Sequence, residues 1–164
     1  MVLRGFILLC VLCGCLADFG PEVSRSVVTG VSGITSSVAI VSDHPHHVIY
    51  ARVQYVVGHG RTVHAVRFGQ SSDGVHPRLR FTSAWSDGQV LPFRETWRTT
   101  PFCSGLHCPA VEIGKLFLSR QQITNATNHG VSLRLTGPDG AMDVSVPAHL
   151  FVESQERAAA QRFD

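Results

Sequence analysis

The chain has 164 residues, 44% of them hydrophobic and 16% charged, with a formal net charge of +2. That length is one domain's worth, enough for a core without metal or dense disulfide support, and the near-balance of charge gives no bulk attraction to nucleic acid. No apolar run approaches the roughly 20 residues that a bilayer-spanning helix needs.

The first element is a leader. Arg4 precedes a wholly apolar run from Phe6 to Leu12, and the small residues Cys13, Gly14, Cys15 and Ala17 follow, the order of a secretory signal. Leu12-Cys13-Gly14-Cys15 resembles the lipobox of bacterial lipoproteins, with Cys13 where that family usually has Ala, Ser or Thr. The resemblance implies that residues 1–14 are removed and Cys15 is acylated, anchoring the protein to a membrane by its lipid. Leu16 replaces the Asp that retains enterobacterial lipoproteins at the inner membrane, which implies the outer membrane, with the protein facing the periplasm. The alternative is cleavage after Ala17 and release as a soluble secreted protein. Either way Cys103 and Cys108 survive as an even pair, and an oxidising compartment favours a disulfide between them.

Residues 15–37, small and polar with scattered valines, read as a tether with room for a short strand near Val27 and Val28, and 38–164 as the domain. Ile49, Ala51, Val53, Tyr55 and Val57 alternate with Arg52 and Gln54, which predicts a strand, and Gly58-His59-Gly60 turns it into a second strand over 61–68. Leu79, Phe81, Ser83 and Trp85 share a predicted face, Ser86-Asp87-Gly88 turns, and 89–98 returns as an edge strand because it contains Pro92. Val111 to Leu118, apolar on both faces, suits a central strand. Ser119 and Gln122 form a capping box for a short helix that Gly130 stops. Val131 to Val146 is a hairpin around Gly137-Pro138-Asp139-Gly140, and Pro147 is placed as the first residue of a closing helix. About eight short antiparallel strands with two small helices predict a mainly β, β-sandwich-like domain. The cysteine loop, capped helix and last hairpin, about a third of the chain, resemble the closing segment of the invasion-associated locus B proteins of α-proteobacterial envelopes.

Asp43-His44-Pro45-His46-His47 is the most conspicuous cluster. The imidazoles of His44, His46 and His47 are candidate ligands for zinc, copper or nickel, with Asp43 as a further donor, although a polar proline loop needs no metal to explain it. Four residues separate Cys103 from Cys108, more than in a Cys-x-x-Cys redox motif, so a structural staple is expected. Arg52, Arg61, Arg67, Arg78, Arg80, Arg94 and Arg98 recur on polar strand faces, where they could grip phosphate groups or form a solvated, balanced surface. Trp85 and Trp97 are expected in the core. Motifs for serine hydrolysis, zinc peptidases and phosphate-cradling loops are absent, and none implies a cofactor. The expected function is a non-enzymatic, lipid-anchored envelope protein whose β-domain binds a protein or an envelope polymer. A periplasmic metal-binding module and an enzyme with a dispersed site are the alternatives.

Overall fold

One long hairpin organises the molecule. β4 (His47–Gly58) and β5 (Arg61–Ser72) pair antiparallel along their whole length, from Gly58 opposite Arg61 to His47 opposite Ser72. His59 and Gly60 form the turn with φ of 50° and 70°, the I′ geometry whose twist matches that of the strands. Ala51 opposes Phe68 and Val53 opposes Val66, all of them buried. Fully burying a side chain such as Phe68 contributes about 1.5–3 kcal/mol.

The computed structural model describes residues 21–26, 31–96, 102 and 110–161. Cys15, Val27, Val28, Trp97, Arg98, Cys103 and Cys108 lie outside these, as does the Asp43 side chain. Beyond β5, the sheet continues to β9 (Val111–Leu118) and β8 (Phe93–Glu95); beyond β4, it continues to β2 (Val31–Thr35) and β1 (Glu22–Ser26). β3 (Ala39–His44) follows β2 along the same edge of β4, completing a seven-stranded antiparallel sheet. A four-stranded sheet, ordered β11 (Gly140–Val146), β10 (Val131–Gly137), β6 (Ser83–Ser86) and β7 (Gln89–Leu91), packs against it around a shared core. The domain is therefore mainly β and sandwich-like, as its alternation predicts. Helices α1 (Arg120–His129) and α2 (Ala148–Ala160) contribute Ile123, Ala126, Leu150 and Phe151 to that core. Neither helix is long and apolar enough to cross a membrane.

The capping box forms as the sequence requires: Gln122 N–H donates to Ser119 Oγ, and Gln122 Oε1 accepts from Ser119 N–H at 2.8 Å. Gly130, with φ 72°, ends the helix. Pro147 stands one residue before α2 with ψ 148°, at the cap rather than inside, and the helix runs on to Ala160.

Four expectations are corrected. Residues 15–37 are not all tether, because β1 and β2 lie within them. Their own apolar content is modest, but the edge of β4 supplies a ladder and the core supplies a place for Ile34, which is fully buried. Between β2 and β3 the chain kinks at Ser36, whose N–H donates to the Val53 carbonyl and whose Oγ accepts from Val53 N–H. Ser37 then donates through both N–H and Oγ to Glu153 of α2, at 2.8 and 2.6 Å. Secondly, residues 89–98 are not one strand. The chain changes sheets at Pro92, from β7 to β8, and the Pro92 carbonyl accepts from Phe117 N–H where no proline donor is needed. Thirdly, Trp85 is not in the core: Ala84 is buried instead, because the inward phase set by Phe81 slips where residues 79–82 cross β10 as irregular chain. Lastly, the described strands number eleven.

Candidate functional site

Three surfaces carry chemistry. The first is the outer face of the small sheet. Alternation along β10 sends Leu133 and Leu135 inward and leaves Ser132, Arg134 and Thr136 outside. Register then lines up Asp143, Arg134, Trp85 and Val90 as one row across all four strands. Trp85 is 39% and Val90 58% exposed. Arg134 and Asp143 sit 3.6 Å apart, and Trp85 Nε1 donates to Ser83 Oγ, itself 2.6 Å from Thr136 Oγ1. An open groove of about 680 Å³ runs along this face, bordered by Val41, Trp85, Asp87, Arg134, Thr136 and Asp143.

The second is a histidine cluster at the end of the β4–β5 hairpin. Pro45 and His46 are the turn between β3 and β4, because His44 pairs with His47. On the other strand, Ser72 leads into Asp73, whose backbone N–H donates to the His46 carbonyl. Asp73 Oδ1 accepts the N–H groups of Val75 and His76 at 3.0 and 2.9 Å, an Asx-type turn. Its Oδ2 faces His46 Nδ1 at 3.2 Å and His76 Nδ1 at 2.8 Å, and the two rings stack with centroids 3.8 Å apart. These hydrogen bonds, led by those from His76, hold the Asp73 carboxyl well below the usual carboxylate range.

Of the sequence candidates, only His46 joins this group. His47 is buried and its Nδ1 lies 3.1 Å from Gln70 Nε2 instead of turning to Asp73. Burial lowers its pKa, and the neighbouring imidazoles of His44 and His76 lower it further. The ring of His44 lies 5.9 Å from that of His46 and 6.2 Å from that of His47, and its nitrogens are not among the three donors that come within 4.8 Å of one another. Asp73 and His76 were not among the candidates. The signal for them is the Asp-Gly-x-His turn just past the strand, together with the hairpin register that carries it to His46.

The third surface is the outer face of the large sheet. Register places Arg52, Arg67, Lys115 and Arg94 in one row across β4, β5, β9 and β8. Glu112 answers two of them: its Oε2 accepts from Arg67 Nε at 2.9 Å and its Oε1 lies 3.5 Å from Lys115. Arg52 is not the solvated side chain its place in the alternation predicts. It is 1% exposed, donates to the carbonyls of Phe102 and Ser36, and pairs with Glu22 of β1 at 3.4 Å. Phe102 lies over this row, 5.9 Å from both the Arg52 and Arg67 guanidinium carbons. Its ring occupies the space that a side chain at Gly69 would need.

Beneath the helices, His64 packs edge-on against Tyr55, and burial, then the charge of Arg120, lowers its pKa. An imidazole kept neutral in the fold contributes stability that is complete above the unfolded value near 6.5 and is lost as pH falls below it toward the lower folded value. Thermal melts from pH 7.5 to 5.5 should therefore show a falling Tm, and His64→Gln should flatten that slope. A slope unchanged by the substitution would show that His64 does not carry it.

No protein family, curated protein or solved structure matches the chain.

Proposed function

We propose that this chain is an exported, lipid-anchored protein of the bacterial envelope, held by Cys15 at the outer membrane, whose small sheet binds a glycan polymer without catalysis. The observation that carries the reading is the row Asp143–Arg134–Trp85–Val90 beside an open groove. A large aromatic left in solvent next to a polar rim suits a ligand with one apolar face and many hydroxyls, as a sugar ring has. The imidazole hydrogen bonds of the described residues run to Asp73 and Gln70, not to a hydroxyl that could serve as a nucleophile, which suits a binder. With the sheet starting at Glu22, the six peptide links from Cys15 to Pro21 reach at most about 20 Å, so the anchor would hold the domain near the bilayer.

Cosedimentation of the mature protein with purified cell-wall glycan tests the groove. Wild type is expected in the pellet, and Trp85→Ala should bind about tenfold more weakly, a loss of about 1.4 kcal/mol. Equal pelleting of the two, or none by wild type, defeats the glycan reading. Intact mass tests the anchor separately: a diacylglyceryl mass on a chain beginning at Cys15 is expected, and an unmodified chain beginning at Asp18 would overturn it.

A further inference from the structure

The geometry points to a binding site for a divalent transition-metal ion at His46, Asp73 and His76. This site is independent of the glycan groove. One donor atom from each residue lies within 4.8 Å of the other two. Two of the three separations, from Asp73 Oδ2 to the Nδ1 atoms, are 3.2 and 2.8 Å. Around a tetrahedral ion with bonds of about 2.0–2.1 Å, neighbouring donors stand roughly 3.3 Å apart. Admitting an ion requires the two stacked rings to swing apart from their centroid separation of 3.8 Å, a movement that their places at the solvent-facing end of the hairpin allow.

The turn accounts for only half of Asp73. Oδ1 satisfies the backbone donors of Val75 and His76, as any Asx-type turn requires. Oδ2 is not needed for that, yet two imidazoles from separate segments converge on it and stack on each other. The backbone beneath is fixed before any ion arrives: His47 and Ser72 form the last rung of the β4–β5 ladder, and the Asp73 N–H to His46 carbonyl bond extends it. Both sides of the site are thus held by the longest hairpin in the fold, so little conformational freedom remains to be lost on binding.

Two imidazole nitrogens and one carboxylate oxygen suit zinc, copper(II) or nickel(II), and are too few and too nitrogen-rich for calcium or magnesium. His46 and Asp73 are exposed and His76 is half-buried, so the remaining coordination positions face solvent. Such an open site exchanges its ion with the medium, as a binding or buffering module does, instead of locking it in as a structural site would.

Calorimetry of the untagged mature protein with zinc, copper(II) and nickel(II) salts tests this. One ion per chain at micromolar Kd is expected for at least one of them. His76→Ala and His46→Ala should each weaken binding tenfold or more, and His44→Ala should leave it within twofold. Asp73→Asn keeps the oxygen that caps the turn and loses the charge, so it should weaken binding while the melting curve stays in place. With copper(II), nitrogen hyperfine structure in the electron paramagnetic resonance spectrum should report two imidazoles in wild type and one in His76→Ala. Absence of saturable binding by all three metals overturns the site, as does full retention of binding in His76→Ala and Asp73→Asn.

Discussion

Arg52→Ala is expected to destabilise the domain by about 3–5 kcal/mol in urea unfolding, with little change in m. The side chain is large and 1% exposed, so truncation leaves a cavity beneath Phe102. It also strips the donor from two carbonyls, those of Phe102 and Ser36, each 3.3 Å from a guanidinium nitrogen, and a buried unmet carbonyl costs about 1–3 kcal/mol. Glu22 adds less to the total because it is 39% exposed and regains water when its partner goes. Arg52→Met separates the two contributions. It refills most of the volume but donates nothing, so it should fall between wild type and Arg52→Ala. A loss under about 1 kcal/mol in Arg52→Ala would mean that the guanidinium does not tie these three segments together.

Gly137→Ala is the second large loss, expected at about 3 kcal/mol or more. The hairpin turn is not the reason. Residues 79–82 cross β10 so closely at this point that an added Cβ would overlap the Arg80 carbonyl oxygen and lie 2.8 Å from its carbon and 2.9 Å from Phe81 Cα. These are backbone atoms and cannot rotate away. Relief requires lifting the crossing segment, which carries Arg80 N–H to Asp139 at 2.9 Å, Thr82 N–H to the Thr136 carbonyl at 2.9 Å, and fully buried Phe81. Gly60→Ala is the matched control, since Gly60 has positive φ and open space around it, and should cost only about 1 kcal/mol. A loss at Gly137 no larger than that at Gly60 would show that the crossing segment gives way cheaply and that the close approach does not determine the effect.

Both residues act through segments remote in sequence, and this marks where local pattern stops being informative. The β10–β11 hairpin, the capping box and the Val111–Leu118 strand are legible because their determinants lie within a few residues of each other: a period of two, a two-residue turn, a serine three positions before a glutamine. Trp85 misleads because its alternation is read through 79–82, a stretch that is not a strand at all. The histidine cluster lies between these cases. Its first half is visible as a run of imidazoles. Its second half follows only when the register set by His59-Gly60 is counted outward until His46 stands beside Asp73.

By itself the sequence determines the mainly β character and nearly every described turn and cap, since these depend on residue chemistry over short distances. Tertiary structure decides the rest. It turns part of the supposed tether into β1 and β2, because an open strand edge can recruit a segment of weak propensity. It buries Arg52 and exposes Trp85, because burial follows from what packs over a face and not from the residue on it. It also exchanges His44 and His47 for Asp73 and His76 as partners of His46, because three donors can meet one ion only where separate strands bring them to the same end of the sheet.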